Sequence, residues 1–250
     1  MYEDILEKTD HRHTPLPDGK WLLTQRWDHL LFMHLPVHPP TMESLIPDGL
    51  ELDTYEKRAW LTIIPFKVNG MHVRKMPPIP FYRPFLELNV RTYVKHEGRP
   101  GIYFFSLDAS KLLAVLGART VTLPYYYADM KMKQKSGTFY YRCKRKGEKE
   151  YEFRGSYRPV SEPYHPEAGS LSSWLLERYY QWSVRGNGLY EVGIHHRPWK
   201  VQDVDVTIGT SEMAPFIPKR SIVGSPLFHY AYSKRVLFWP VKRTGTKAGD

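Results

Sequence analysis

Cysteine is nearly absent. Cys143 stands alone, so no disulfide forms within the chain and no cysteine-rich metal cluster is available. Long apolar runs are missing too, and no stretch approaches the roughly 18 residues a membrane-spanning helix needs. Met1 to Pro17 is polar and has no signal-peptide core. These absences set a cytoplasmic protein without a membrane partner as the expectation. Phosphate loops (G-x-x-x-x-G-K, G-x-G-x-x-G), the H-E-x-x-H zinc pattern and the G-x-S-x-G elbow do not occur. Low-complexity segments and fixed-period repeats are absent, and prolines are spread throughout. The expected organisation is one domain over residues 1–244, followed by a loose tail at 245–250.

Acidic residues are the scarcer sign: 26 Asp and Glu stand against 36 Lys and Arg, a formal net charge of +10. Such a balance permits nucleic-acid binding without requiring it. Much of the excess lies between Lys131 and Lys149. Alternation in a hairpin would send these charges to solvent, and Phe139, Tyr140 and Tyr141 would divide between core and surface. A basic interaction module is therefore the weakest of three functional classes considered.

Aromatic and β-branched residues are plentiful, and short strand-like runs dominate. Leu50–Tyr55 and Ala59–Phe66 read as a hairpin around Glu56-Lys57. Leu86–Val94 alternates most cleanly. Leu88, Val90, Thr92 and Val94 share one face; Glu87, Asn89, Arg91 and Tyr93 share the other. Alternation alone does not decide which face looks inward. Asp108 to Leu116 suits a short helix capped by Asp108 or Ser110 and ended by Gly117. Ser170 can cap a longer helix near 170–183, with Leu171, Trp174, Leu175, Tyr179 and Trp182 at helical spacing. The fold class is mainly β with few helices, built as a closed or partly closed antiparallel barrel.

Residues Gly98 to Met132 carry a Gly-rich turn, an aromatic strand ending Leu107-Asp108, a small-residue segment, Gly117-Ala118-Arg119 spacing of the G-x-R type, and a strand led by Pro124. That order resembles the core of acetoacetate decarboxylases. Over a longer span the chain resembles the YqjF-like family of bacterial proteins. The matching runs are Leu30–Pro39, Leu45–Tyr55, Ala59–Phe66, Glu87–Val94, Tyr103–Ala109, Leu123–Tyr126 and Ile194–Trp199. The resemblance implies an acetoacetate decarboxylase-like fold, a cone-shaped antiparallel barrel around an interior pocket. It supplies no reaction. Aligned on Pro124, Tyr125 and Tyr126 occupy the places of the decarboxylase's two lysines. A phenol cannot form an iminium, so Schiff-base decarboxylation is not expected. Glu87 matches a pocket glutamate, and Arg26 is the candidate for a pocket arginine.

The candidate ligand-binding residues are Glu87, Arg91, Tyr125, Tyr126, Arg26, Asn89 and His195. Arg91 can clamp a carboxylate with two parallel hydrogen bonds. A tyrosine in the pocket can donate a hydrogen bond or a proton. His195 and His196 are adjacent, so on a strand they face opposite ways and form no close metal pair; either one can reach the pocket. Pro36 between His34 and His38 argues against a helical pair. No metal and no cofactor are expected, although a site built from histidines remote in sequence stays open. The leading reading is a small-molecule pocket protein for a carboxylate or carbonyl compound. The alternative is a lysine-independent lyase or hydrolase using Glu87 or Tyr125, and an oligomer stays open.

Overall fold

A strand that alternates polar and apolar residues needs two environments, and both are inside this protein. The computed structural model describes residues 2–76, 84–111 and 123–246. Its strands are β1 (Leu23–Val37), β2 (Glu51–Leu52), β3 (Ala59–Val73), β4 (Phe85–His96), β5 (Arg99–Ala109), β6 (Tyr125–Lys135), β7 (Thr138–Arg145), β8 (Glu152–Pro159), β9 (Tyr180–Arg185), β10 (Gly188–His195), β11 (Val204–Ser211), β12 (Leu227–Phe238) and β13 (Lys242–Thr246). Helices are short: α1 (Glu3–Leu6), α2 (Pro39–Glu43) and α3 (Leu171–Leu176).

β4, β3, β1, β12, β10, β9 and β5 pair in that order, and β5 pairs back to β4. The sheet is thereby a partly closed ring. Its pairings are antiparallel except at one seam, where β5 and β9 run parallel over Ile102–Gln181 and Tyr103–Trp182. Gly101 lies beside that seam. A Cβ there would sit 2.3 Å from both the Tyr180 carbonyl oxygen and the Trp182 ring, so only glycine lets the two strands approach. A second sheet, β6-β7-β8-β11, leaves the ring through a parallel β5–β6 pairing.

This second sheet explains the two faces of β4. Leu88 and Val90 point out of the ring and pack with Leu31, Ile63, Tyr141 and Phe153 between the two sheets. Glu87, Asn89 and Arg91 point into the lumen, among Phe32, Ile64, Phe66 and Phe104. Asp108 pairs in register with Leu88 and so shares the outward face. There it makes a buried two-pronged ion pair with Arg145, at 2.8 and 2.9 Å, which ties β5 to β7. The Arg145 guanidinium is also stacked on the Tyr126 and Tyr151 rings, 3.8 Å from each centroid. Asp108 is thus a strand residue and an ion-pair partner, not a helix cap. The rest of the expected helix, 112–116, lies outside the described residues.

Other expectations shift. The helix near 170–183 ends at Leu176, with the Ser170 side chain accepting from the Ser173 N–H as its cap. Tyr180 to Arg185 instead pairs with β10 as a strand. Its aromatic and β-branched content suits a strand, and its mid-sheet place buries both faces, so no strand alternation marked it. β2 pairs with β4 rather than with β3. Gly245, expected in a loose tail, pairs with Leu189 through β13. The basic hairpin does form from β6 and β7, with Lys131, Lys133 and Tyr140 exposed and Phe139 and Tyr141 buried. No helix among the described residues is long and apolar enough to cross a membrane.

Candidate functional site

The inward faces of the ring enclose a cavity of about 280 Å³. Its wall is mostly aromatic and aliphatic, from Trp27, Leu30 and Phe32 on β1 round to Phe104 and Leu107 on β5. Into this apolar lining project a few polar groups, among them Glu87, Asn89, Arg91, Arg178, Gln181 and His196. An apolar chamber with a small number of directed polar groups is the usual form of a small-molecule site.

Glu87 is buried, and its Oε2 accepts a hydrogen bond from the Tyr125 hydroxyl at 2.9 Å. Removal from water dominates its titration and pushes its pKa up to about 8, with Asp108 adding repulsion and Tyr125 opposing. Near neutrality Glu87 is a neutral carboxylic acid. Because Tyr125 donates to it, its own proton is presented elsewhere in the chamber. Asn89, two residues on, has a buried side-chain oxygen with no hydrogen-bond partner among the described residues.

Arg91 lies at the far end of this row, roughly 13 Å along the strand from Glu87. It is buried, and its one hydrogen bond among the described residues is a long one, 3.4 Å from Nη2 to the Leu175 carbonyl. Its Nε has no partner, and no carboxylate lies within ion-pair distance among the described residues. Neither internal segment outside the described residues, 77–83 or 112–122, contains an acidic residue. Arg178 follows α3. It donates from Nη1 to Asp53 at 2.6 Å and from Nε to the Trp174 carbonyl at 2.7 Å, while its Nη2 is buried without a partner among the described residues. Asp53 is shared with Lys95 at 3.0 Å. Beyond Arg91, behind the cavity lining, runs a hydrogen-bonded chain of side chains. The Tyr93 hydroxyl meets Thr62 Oγ1 at 2.7 Å, and Thr62 meets His34 Nδ1 at 2.8 Å. Burial holds the His34 pKa well below its ordinary value, with Arg91 a lesser cause. This end of the lumen therefore carries uncompensated positive charge.

Of the residues expected at the site, Glu87, Asn89, Arg91 and Tyr125 line the cavity together. Arg26, Tyr126 and His195 do not. The Arg26 side chain is 46% exposed and pairs with Asp28 outside the lumen. Tyr126 neighbours Tyr125 on a strand and so takes the other face, against Arg145. His195 points away for the same reason. Its Nδ1 accepts from Arg12 at 3.1 Å, and its Nε2 donates to the Ile5 carbonyl at 2.7 Å. His196 is the member of that pair that reaches the cavity. Arg178 was missed because a helix was expected across it. The run Tyr179-Tyr180-Gln181-Trp182-Ser183-Val184, rich in strand-forming residues, was the available signal. No lysine lines the cavity among the described residues.

Enzymes are found among solved structures of the same architecture. An acetoacetate decarboxylase-like enzyme from Sphingomonas wittichii RW1 superimposes with a TM-score of 0.62 at 13% identity, over 91% of this chain and 95% of that one. The enduracididine biosynthesis enzyme MppR, complexed with pyruvate, gives 0.63 at 11% identity, over 92% and 93%. At such identities the likeness is one of fold. A much nearer relative is the uncharacterized protein YqjF of Bacillus subtilis (strain 168), 44% identical over 240 residues, which are 96% of this chain and 99% of that protein. The model of the DUF2071 family, described as uncharacterized conserved proteins, matches residues 24–234. With that span matched, and an acetoacetate decarboxylase-like ring around its chamber, the chain belongs to the DUF2071 family.

Proposed function

We propose that this protein binds a small organic carboxylate in the lumen of its ring, with Arg91 as the anion clamp. The observation that carries the reading is that Arg91 is a buried guanidinium with no carboxylate partner among the described residues. An uncompensated buried charge is costly, and an anionic ligand supplies the missing partner. Arg178 Nη2 adds a second unused donor. The neutral carboxyl of Glu87 donates to a carbonyl or hydroxyl at the ligand's other end, and the aromatic wall takes its apolar body. Pyruvate, the ligand named for MppR, is a small oxo acid of this kind. Oxo acids with longer apolar chains fill more of the span between Arg91 and Glu87.

A second reading rests on Glu87 itself. A buried carboxyl with a pKa near 8, held by a tyrosine, is suited to proton transfer. Lysine-independent lyase or hydrolase chemistry is compatible with that group, and no lysine lines the cavity among the described residues to begin Schiff-base chemistry.

Thermal shift and calorimetry with pyruvate, acetoacetate and longer oxo acids test binding. The folded protein is stabilised by a ligand that prefers it. Arg91→Met abolishes the shift, and borohydride treatment with a β-keto acid leaves no covalent adduct. A shift that survives Arg91→Met unchanged sinks the carboxylate clamp, and a stable adduct sinks the lysine-free chemistry.

A further inference from the structure

His196 on the chamber wall also belongs to a second group of polar side chains, with a different chemistry. His11, Glu177 and His196 come from three distant places in the chain: the N-terminal segment, the residue after α3, and the residue after β10. One ligand-type atom from each lies within 4.8 Å of the others. The hydrogen bonds around them fix which atoms are free. His11 Nε2 donates to the His196 carbonyl at 2.9 Å, leaving Nδ1 with a lone pair. That Nδ1 is buried and has no hydrogen-bond partner among the described residues. His196 Nδ1 donates to the Arg197 carbonyl at 2.8 Å, leaving its Nε2 as the lone-pair nitrogen. Glu177 Oε1 accepts from the Trp199 backbone N–H at 2.7 Å, and Oε2 accepts from the Tyr179 hydroxyl. Each carboxylate oxygen keeps a further lone pair.

We infer that His11, Glu177 and His196 form a binding site for a divalent transition metal of the zinc type. Two imidazoles, each held by a bond from its other nitrogen to a backbone carbonyl, and one oriented carboxylate are the donor set and the outer support such sites use. The set has two nitrogens and one oxygen, which favours zinc or cobalt over calcium or magnesium, whose sites are built from oxygens. Ligand atoms around one tetrahedral zinc stand roughly 3.3 Å apart, so the three donors close by up to about 1.5 Å on binding. His11 is the member placed to move, because it sits on the N-terminal segment and not in the ring. That segment is pinned beside the site by Arg12, whose Nη1 donates to the Ile194 carbonyl at 2.9 Å and to His195 at 3.1 Å. His195, expected in the pocket, thus serves as a positioning residue for His11.

Two cations stand near. Arg12 lies 4.1 Å over the Tyr179 ring, and Lys234 donates to the Arg197 and Pro198 carbonyls at 3.1 and 2.6 Å. They oppose a metal cation, and the Glu177 carboxylate offsets one of them. The strong bonds of zinc to imidazole outweigh that repulsion better than the bonds of a hard cation would. His196 belongs to both the cavity wall and this donor set, so metal here borders the lumen.

The full chain, stripped with chelator, is titrated with Zn²⁺ and separately with Co²⁺. One equivalent of zinc is retained after dialysis, the melting temperature rises, and Co²⁺ gives the intense visible absorption of a tetrahedral site. Glu177→Gln keeps the shape and a hydrogen-bond acceptor, and His11→Ala removes a side chain that lies outside the ring strands. Each weakens zinc binding by at least about 100-fold, beyond the range seen for outer-shell changes, while both variants keep the wild-type fold by circular dichroism. The exposed His38→Ala leaves binding unchanged. No retained equivalent, a weak octahedral cobalt spectrum, or undiminished binding in both ligand variants overturns the site.

Discussion

Glu87→Gln makes the ionisation of the chamber measurable without any ligand. Glutamine has nearly the same shape, its side-chain oxygen can accept from the Tyr125 hydroxyl, and it never ionises. In the wild-type protein burial raises the Glu87 pKa from 4.5 to about 8. Below pH 4.5 the group is protonated in both folded and unfolded chains, and the full benefit of a neutral carboxyl is present. Between 4.5 and 8 only the folded state holds the proton, so stability falls as pH rises, by about 1.4 kcal/mol per unit. Above 8 the benefit is gone. At pH 7 the loss spans two and a half units, on the order of 3 kcal/mol. The glutamine variant has no such term. Urea denaturation of both proteins at about pH 5 and pH 8 should show the variant gaining on the wild type by about 4 kcal/mol across that interval. Parallel pH profiles would mean that Glu87 titrates normally, and its assignment as a neutral donor would fall.

Two further outcomes concern the scaffold. Arg145→Ala leaves the Asp108 carboxylate buried without its partner between the sheets. It should cost about 3–5 kcal/mol in urea denaturation, and Arg145→Ala combined with Asp108→Ala should recover part of that. A double replacement that costs the sum of the two single ones would show that the pair is not coupled. Gly101→Ala drives a methyl to 2.3 Å from the Tyr180 carbonyl oxygen and the Trp182 ring. The expected loss is about 1–3 kcal/mol or more, as for other overpacked sites, and an unchanged melting temperature would show that the β5–β9 seam yields freely.

Local pattern revealed the strands and one face of the site, and distant pairing hid the rest. The alternation of Leu86–Val94 grouped Glu87, Asn89 and Arg91 correctly on one side of a strand. It could not say which side was the lumen, because Leu88 and Val90 are equally buried between the sheets. Adjacent His195 and His196 were recognisably opposed, but their order depends on how β10 sits between β9 and β12. Tyr179 and Trp182 fell at helical spacing by coincidence, since a strand buried on both faces carries no period of two. Asp108 resembled a cap because its partner, Arg145, lies 37 residues away in sequence.

The two-sided burial of β4 has a consequence for how the chain reaches its native state. A slip of one position against β3 or β5 would thrust Glu87, Asn89 and Arg91 into the greasy interlayer and leave Leu88 and Val90 facing the chamber. Misaligned pairing would strand three polar groups away from water at once, so the same side chains that equip the interior also discriminate against misfolded alternatives during assembly.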